Sequence, residues 1–284
     1  SRKVVDAAID AGITLFDTAD MYGGRGGSEK ALGEILGNRR KDIVLATKFG
    51  MAMDDHDIKI GASRRYIMSA VEDSLTRLKT DYIDLYQLHK PDPRTPIEET
   101  LRALEDLTSQ GKVRYIGCSN LPAWQVVEAH WTAGTSGTYP FVSCQDEYSL
   151  VVRDIEDELI PAANAYGMGL LPFFPLACGL LTGKYRKGAP MPEGARITKE
   201  DRHAKRYLTE RNWNVVEGLA NFAEHHDRTL LELAFSWLAR REPVASVIAG
   251  ATKPEQIRQN VKAIAWDLTA GDMAEIDRIC GRDN

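Results

Sequence analysis

Short apolar runs alternate with longer segments whose apolar residues recur at helical spacing, almost from one end of the chain to the other. The short runs are rich in β-branched and aromatic residues and predict seven strands, at 13–19, 43–49, 83–89, 113–118, 141–147, 169–176 and 246–250. Strands that alternate with helices are joined by crossovers and lie parallel. The pattern therefore predicts an α/β protein built on a parallel sheet.

The longer segments predict helices at 2–11, 29–36, 64–78, 96–110, 122–133, 154–166, 207–225 and 230–240. At the start of 96–110, Thr95 and Glu98 have the spacing of a capping box, and Pro96 suits the first helical position. Residues 182–202 are rich in glycine, proline and charge, which predicts a long loop. Long loops in barrels are often functional.

No linker and no strong repeat interrupts this alternation, so we expect a single domain over residues 1–284. The fold class that fits is a parallel (β/α)8 TIM barrel, which closes with eight strands. Seven strand-like runs are present, and the chain opens with a helical pattern. We therefore expect the first strand to lie upstream of Ser1.

Composition and charge restrict the classes of binding partner that are expected. Of 284 residues, 43% are hydrophobic and 27% charged, as in ordinary globular proteins. A net charge of -5 disfavours a broad nucleic-acid or acidic-lipid surface. The four cysteines form no C-x-x-C pair, and the most apolar stretch, 168–181, is short for a membrane span and holds two prolines. We expect a cytoplasmic protein with no membrane or nucleic-acid partner and no metal.

Four polar residues lie at or just beyond the ends of three consecutive predicted strands: Asp17, Tyr22, Lys48 and His89. In a parallel barrel these ends form the active face, so the four side chains are expected to converge. A neutral tyrosine donates a proton to a carbonyl oxygen that gains negative charge. An ammonium from Lys48 is expected to lower the pKa of Tyr22 while Asp17 holds Lys48 in place, and His89 is suited to position the carbonyl. Taken singly, each has a structural reading, as an ion-pair member or a hydrogen-bonded histidine.

The ordered motifs along the chain resemble those of the aldo-keto reductase family. They are FDTADMYG at 16–23, SE at 28–29, ATK at 46–48, QLH at 87–89, GCSN at 117–120 and GAT at 250–252. They cover essentially the whole chain, and an ordered set is far more specific than any single short motif. The resemblance implies the (β/α)8 fold, NADP(H) as cofactor, and Asp17, Tyr22, Lys48 and His89 as the four catalytic positions, with Tyr22 the proton donor.

The resemblance also implies cofactor contacts. Ser119, Asn120 and Gln145 fall at positions for the nicotinamide carboxamide, and Phe173 at the ring face. The pyrophosphate and adenosine-phosphate positions are Leu176, Ala177, Lys184, Arg196, Gly250, Thr252, Lys253, Gln256, Gln259 and Asn260. Structural alternatives are helix capping for Ser119, Asn120 and Thr252, and core packing for Phe173 and Phe174.

The function expected is NADPH-dependent reduction of a small carbonyl compound, or the reverse oxidation of an alcohol. Lys253 beside Thr252 favours NADPH over NADH, because a cation and a hydroxyl suit a 2′-phosphate. The alternative, which the resemblance also permits, is an NADP(H)-binding regulatory or interaction subunit with negligible turnover. Met21, Met51 and Phe174 are candidate walls of the substrate pocket. The chain has no G-x-G-x-x-G fingerprint, and His225–His226 is an adjacent pair that points in two directions.

Overall fold

The computed structural model describes residues 1–192, 195–198 and 200–282. The chain forms two compact units, each with its own packing. Unit 1 comprises Ser1–Asp146 and Asp157–Leu170, and unit 2 comprises Glu147–Glu156 and the chain from Leu171 onward. The prediction of a single domain stays a prediction.

Unit 1 is built on a six-stranded sheet. All five strand pairs are parallel, and the strands follow one another in chain order. They are β1 Leu15–Asp17, β2 Val44–Phe49, β3 Ile83–Leu88, β4 Val113–Ser119, β5 Ser143–Gln145 and β6 Gly169–Leu170. The predicted α/β class with a parallel sheet is confirmed.

Helices connect these strands: α1 Arg2–Asp10, α2 Tyr22–Arg25, α3 Gly27–Leu36, α4 Arg64–Leu78, α5 Ile97–Ser109, α6 Ala123–Ser136 and α7 Leu159–Ala165. The predicted bounds of α4 are confirmed, because local signals set both ends. Ser63 accepts a hydrogen bond from the Tyr66 N–H at the start, and Lys79 adopts a left-handed φ of 53° at the end. Ile67 and Val71 are buried on one face of this helix.

Unit 2 contains five helices in its described residues: α8 Asp201–Tyr207, α9 Glu210–His225, α10 Leu230–Ala239, α11 Pro254–Lys262 and α12 Ala270–Ile279. Short 3-10 segments lie at Asp154–Glu156, Ala177–Thr182 and Arg196–Thr198. Thr229 and Glu232 form a capping box at the start of α10. Within the predicted loop at 182–202, residues 193, 194 and 199 lie outside the described residues, and α8 begins at Asp201 near its end. No helix in the described chain is long and apolar enough to cross a membrane.

The last two predicted strands are wrong in extent. The run 169–176 ends as a strand at Leu170, because Pro172 and Pro175 lack an N–H for the ladder and Phe174 has a φ of 51°. Beyond it, Phe173 forms isolated parallel bridges with Glu147 and Ile248, so 246–250 forms a bridge rather than a strand. The described residues contain six named strands, and closure of an eight-stranded barrel stays a prediction.

Two local predictions also fail. The Thr95–Glu98 capping box is absent, since the Thr95 hydroxyl donates to Asp92 and Glu98 accepts from Arg102. The run 154–166 is not one helix: α7 begins only at Leu159. A continuous helix would bring the Pro161 ring against the carbonyl of residue 157.

Candidate active site

Asp17 and Lys48 form a buried ion pair at the ends of neighbouring strands. Asp17 is in register with Ala46, and Lys48 lies two residues further along β2, on the same face. The Lys48 ammonium donates to Asp17 Oδ2 at 2.5 Å and to the carbonyl oxygen of Thr18 at 2.9 Å. The Lys48 side chain is 1% exposed. The strand ends thus bring together two residues that are 31 positions apart.

Tyr22 lies against this pair at the start of α2. Gly23 and Gly24, which follow it, have φ values of 72° and 77°, so the chain turns sharply there. The Lys48 ammonium lies 5.1 Å from the centroid of the Tyr22 ring, and the His89 ring meets it edge-on at 5.6 Å. Tyr22 remains 39% exposed, while Lys48 below it is buried. All four predicted catalytic residues therefore come together in unit 1.

The predicted direction of the Tyr22 pKa is wrong. Burial, together with the nearby carboxylates of Asp17 and Asp20, raises the pKa of Tyr22 to about 12. Lys48 was expected to lower it, but the ammonium is already bonded to Asp17. The Tyr22 hydroxyl is therefore protonated throughout the neutral range.

Burial is also the largest cause of the pKa shifts of Lys48 and His89. It lowers the pKa of the Lys48 ammonium, and Asp17 opposes that effect by favouring the charged form. Burial, together with the charges of Lys48 and Lys90, lowers the pKa of His89 to about 3. His89 is therefore a neutral imidazole with one N–H, and its Nδ1 atom is buried without a hydrogen-bond partner.

The three residues predicted to meet a carboxamide form one hydrogen-bonded group beside this site. Asn120 Nδ2 donates to the carbonyl of His89 at 3.0 Å and to Ser119 Oγ at 2.9 Å. Ser119 Oγ donates to the carbonyl of Gln145 at 2.8 Å. Asn120 has a φ of 60°, and α6 begins after Pro122 without a side-chain cap. Helix capping is therefore not the role of these residues.

Sequence reasoning missed Gln87, which is fully buried on β3. Its Nε2 donates to Asp17 Oδ1 at 3.2 Å, and Gln145 Nε2 donates to the same oxygen at 2.9 Å. Asp17 thus accepts from Lys48 on one oxygen and from two amides on the other. The signal was an amide residue within a strand, two positions before His89.

In unit 2, the aromatic pair Phe173 and Phe174 is half-buried, and the two rings meet edge-on at 5.3 Å. The Arg196 guanidinium lies 5.1 Å from the Phe174 ring centroid. Arg196 also approaches Gly250, where an added Cβ would lie 3.7 Å from its Nη1. The structure therefore groups Phe174, Arg196 and Gly250, while full burial of Phe173 in the core is not observed.

A second predicted group in unit 2 follows Phe174 along the chain. Leu176 precedes a tight segment in which Ala177 has a φ of 45° and is fully buried. Lys184 is exposed, and its ammonium lies 5.0 Å from the centroid of the Tyr185 ring. An added Cβ on Gly179 would lie 3.5 Å from that ammonium. This segment is a compact turn with one exposed cation.

The start of α11 gathers three of the predicted phosphate residues. Gln256 Oε1 accepts from the Thr252 N–H at 2.7 Å, the Thr252 hydroxyl at 3.1 Å and the Lys253 N–H at 3.2 Å. Thr252 therefore does not cap the helix as an acceptor. Gln259 and Asn260 follow on the same helix, and Lys253 is exposed.

A profile of the Aldo/keto reductase family matches residues 1–280. The chain belongs to this family. The resemblance deduced from the motifs is thereby confirmed, and membership in the aldo/keto reductase family implies an oxidoreductase.

Known relatives carry two kinds of name. A rice protein (Oryza sativa subsp. japonica) and an Arabidopsis thaliana protein are each 37% identical over 270 residues, which cover 93% of this chain and 81% of theirs. Both are named "Probable voltage-gated potassium channel subunit beta". "Probable aldo-keto reductase 1" of Glycine max is 36% identical over 276 residues, 96% of this chain and 77% of that protein.

Across the described part of this aldo/keto reductase family member, no three His, Cys, Asp or Glu side chains are grouped to hold a metal ion.

Proposed function

We propose that this protein reduces aldehydes or ketones to alcohols by hydride transfer from NADPH, with Tyr22 as proton donor. The observation that carries the proposal is Tyr22, a partly exposed residue with a protonated hydroxyl, beside the buried Lys48–Asp17 pair. Family membership and the grouping of all four predicted catalytic residues support it.

The direction of proton transfer follows from the relative basicity of the carbonyl oxygen and the Tyr22 oxygen. A carbonyl carbon that accepts hydride leaves its oxygen as a developing alkoxide, which is a stronger base than phenolate. Tyr22, protonated at neutral pH, transfers its proton to that oxygen, and a phenolate remains. The Lys48 ammonium lies 5.1 Å from the centroid of the Tyr22 ring, and its bond to Asp17 keeps it charged and fixed beside that ring.

His89 orients the carbonyl. Its ring is neutral and lies edge-on to Tyr22, so its single N–H is able to donate to the same oxygen that Tyr22 protonates. A neutral ring does not compete with Tyr22 as an acid. The carbonyl of His89 accepts from Asn120, which holds this part of the chain in place.

The residues of unit 1 fit a carboxamide. The amide nitrogens of Asn120 and Gln145 are committed to partners within the protein, whereas those bonds leave the two amide oxygens unused. Two acceptors match the NH2 group of a nicotinamide carboxamide. NADPH, when bound, supplies the hydride.

In unit 2, the start of α11 fits a phosphate. Two N–H groups and one hydroxyl converge on a single oxygen of Gln256, and a phosphate oxygen would suit the same three donors. Lys253 adds a cation at this helix start, which supports NADPH over NADH. Arg196 and Lys184 supply further positive charge, with Phe173 assigned to the face of the nicotinamide ring.

The alternative is an NADP(H)-binding regulatory or interaction subunit with little turnover. The names of the rice and Arabidopsis relatives favour it. The complete set of Asp17, Tyr22, Lys48 and His89 favours the enzyme. We place the reaction in the cytoplasm, which the four free, buried cysteines support. We assign a small carbonyl compound as substrate, with Met21 and Met51 as pocket walls.

A substrate panel decides between the two. Purified protein is mixed with NADPH and a series of aldehydes and ketones, and cofactor absorbance is followed, with the Tyr22→Phe variant as matched control. Turnover that depends on Tyr22 supports the enzyme. NADPH binding without Tyr22-dependent turnover on any substrate favours the regulatory subunit.

A further inference from the structure

Asp20 is a buried carboxyl group directly behind the active site. It lies two residues before Tyr22, and its backbone N–H donates to the carbonyl of Lys48 at 3.1 Å. The residue is 1% exposed. Asp20 is therefore linked to both Tyr22 and Lys48, but it is not one of the four predicted catalytic residues.

Every buried cation near Asp20 already has its own carboxylate. Lys48 is bonded to Asp17 at 2.5 Å, and Arg77 is bonded to Glu29 at 2.6 Å. Glu29 is further held by the hydroxyl of Thr47 at 2.6 Å. Within the described residues Asp20 has no ion-pair partner. It therefore differs from Asp17 and Glu29, which are each paired with a cation.

Hydrogen bonding compensates the charge of Asp20 only in part, through the Met21 N–H and the Tyr66 hydroxyl. The Tyr66 hydroxyl lies at a long 3.4 Å from Oδ2, and Oδ1 is buried without a partner. The Tyr86 hydroxyl, fully buried nearby on β3, also lacks a partner. An isolated carboxylate in such surroundings is costly, and protonation relieves that cost. Burial, reinforced by Glu29, raises the pKa of Asp20 to about 7.

We propose that Asp20 is a positioning residue that sets the acidity of Tyr22: neutral Asp20 keeps Tyr22 an effective proton donor, and ionised Asp20 makes it a weaker one. This inference rests on the proposed reductase function, because Tyr22 is the acid on which Asp20 acts.

Six charged or titratable groups on neighbouring elements interact with Asp20: Tyr22 on α2, Glu29 on α3, Lys48 on β2, Tyr66 and Arg77 on α4, and Tyr86 on β3. The two cations among them, Lys48 and Arg77, are each bonded to another carboxylate. A new negative charge at Asp20 therefore opposes formation of the Tyr22 phenolate and raises the pKa of Tyr22. Reduction consequently slows as pH rises through the range in which Asp20 ionises.

The first test is the pH profile of kcat for carbonyl reduction, with wild type and Asp20→Asn compared at saturating NADPH and substrate. We expect wild-type kcat to fall about fivefold across neutral pH, the factor for roughly 1 kcal/mol in a barrier. Asp20→Asn should lose this step and match the low-pH rate of wild type. A step of unchanged size and midpoint in Asp20→Asn would overturn the proposal.

Tyr66→Phe provides a second variant in case Asp20→Asn fails to fold. The Tyr66 hydroxyl stabilises the ionised form of Asp20, so its removal raises the pKa of Asp20 and moves the step to higher pH. A general loss of packing would lower the rate without moving the midpoint in this direction. An unmoved midpoint counts against Asp20.

A third measurement does not depend on turnover. The phenolate absorbance of Tyr22 is obtained as the difference between a protein with Tyr22 and its Tyr22→Phe counterpart, in wild-type and Asp20→Asn backgrounds. We expect Tyr22 to ionise at lower pH in the Asp20→Asn background. If this shift appears but no substrate is turned over, the proposed function fails while the link between Asp20 and Tyr22 holds. Turnover without the shift overturns the link alone.

Discussion

Gln145 donates its side-chain amide to Asp17 at 2.9 Å, across 128 residues of sequence. The residue expected to meet the cofactor carboxamide is therefore also bonded to Asp17, one of the four proposed catalytic residues. We predict that Gln145→Leu weakens NADPH binding and also lowers kcat, because Asp17 loses a donor that orients it. Cofactor titration and steady-state kinetics measure the two effects separately. A change in binding alone would show that the bond to Asp17 has no catalytic consequence.

Tyr22→Phe should lower reductase turnover at least about 100-fold, because it removes the proton donor and keeps the ring. NADPH affinity should remain close to that of wild type. Turnover with a preferred carbonyl substrate and fluorescence titration of NADPH provide the measurements. Near-normal turnover would exclude Tyr22 as the acid.

Lys48→Met should abolish most activity and also destabilise the fold by about 3–5 kcal/mol, because Asp17 would stay buried without its cation. The matched control is the double variant Asp17→Asn/Lys48→Met, which removes both charges. Urea unfolding should show that the double variant regains part of the lost stability, while kinetics should show no recovery of activity. Equal stability of all three proteins would contradict a buried charge pair.

Asp146 is predicted to make the free energy of unfolding depend on pH. Its Oδ2 is buried without a partner, and burial raises its pKa from 3.8 to about 8. Because the folded protein holds this proton more tightly than the unfolded chain, the stabilising contribution is complete below about pH 4 and is lost as pH rises to about 8. Asp146→Asn should therefore be the more stable protein at pH 9 by more than about 1 kcal/mol. Urea unfolding at pH 5 and 9 tests this, and a difference that does not change with pH would refute it.

Lys253→Ala should weaken NADPH binding and leave NADH binding nearly unchanged. Lys253 is exposed, so solvent limits the effect to no more than about fivefold. Lys262→Ala, at the other end of α11, is the matched control for a lost lysine charge. Titration of both cofactors at fixed ionic strength provides the comparison. Equal losses for the two cofactors would exclude a contact with the 2′-phosphate.

Local signals made much of the fold predictable. The bounds of α4 follow from Ser63 and Lys79, and the meeting of Asp17 with Lys48 follows from the parallel pairing of consecutive strands. The early end of β6 was not predictable from an apolar run alone. The positive φ of Phe174 and the two flanking prolines end the ladder there, although the side chains suit a strand.

The sequence predicted which residues meet at the site better than it predicted their charge interactions. Sequence order indicates that Lys48 and Tyr22 are close, but it does not show that Asp17 occupies the ammonium or that Asp20 is buried beside them. Those facts depend on which face each side chain takes. Burial of Tyr22, together with the charges of Asp17 and Asp20, raises its pKa where a fall was expected. The amide donors from Gln87 and Gln145 were missed for the same reason.

The Lys48–Asp17 pair also has a consequence for how the chain finds its alignment. β1 has only three residues, so its few backbone hydrogen bonds distinguish weakly between alternative registers against β2. A slip of one residue would turn Asp17 to the opposite face of the sheet and leave the Lys48 ammonium buried without an anion. Misaligned pairings of the two strands are therefore penalised by an uncompensated charge. A single buried ion pair selects the register of a strand that is too short to select it by its own ladder.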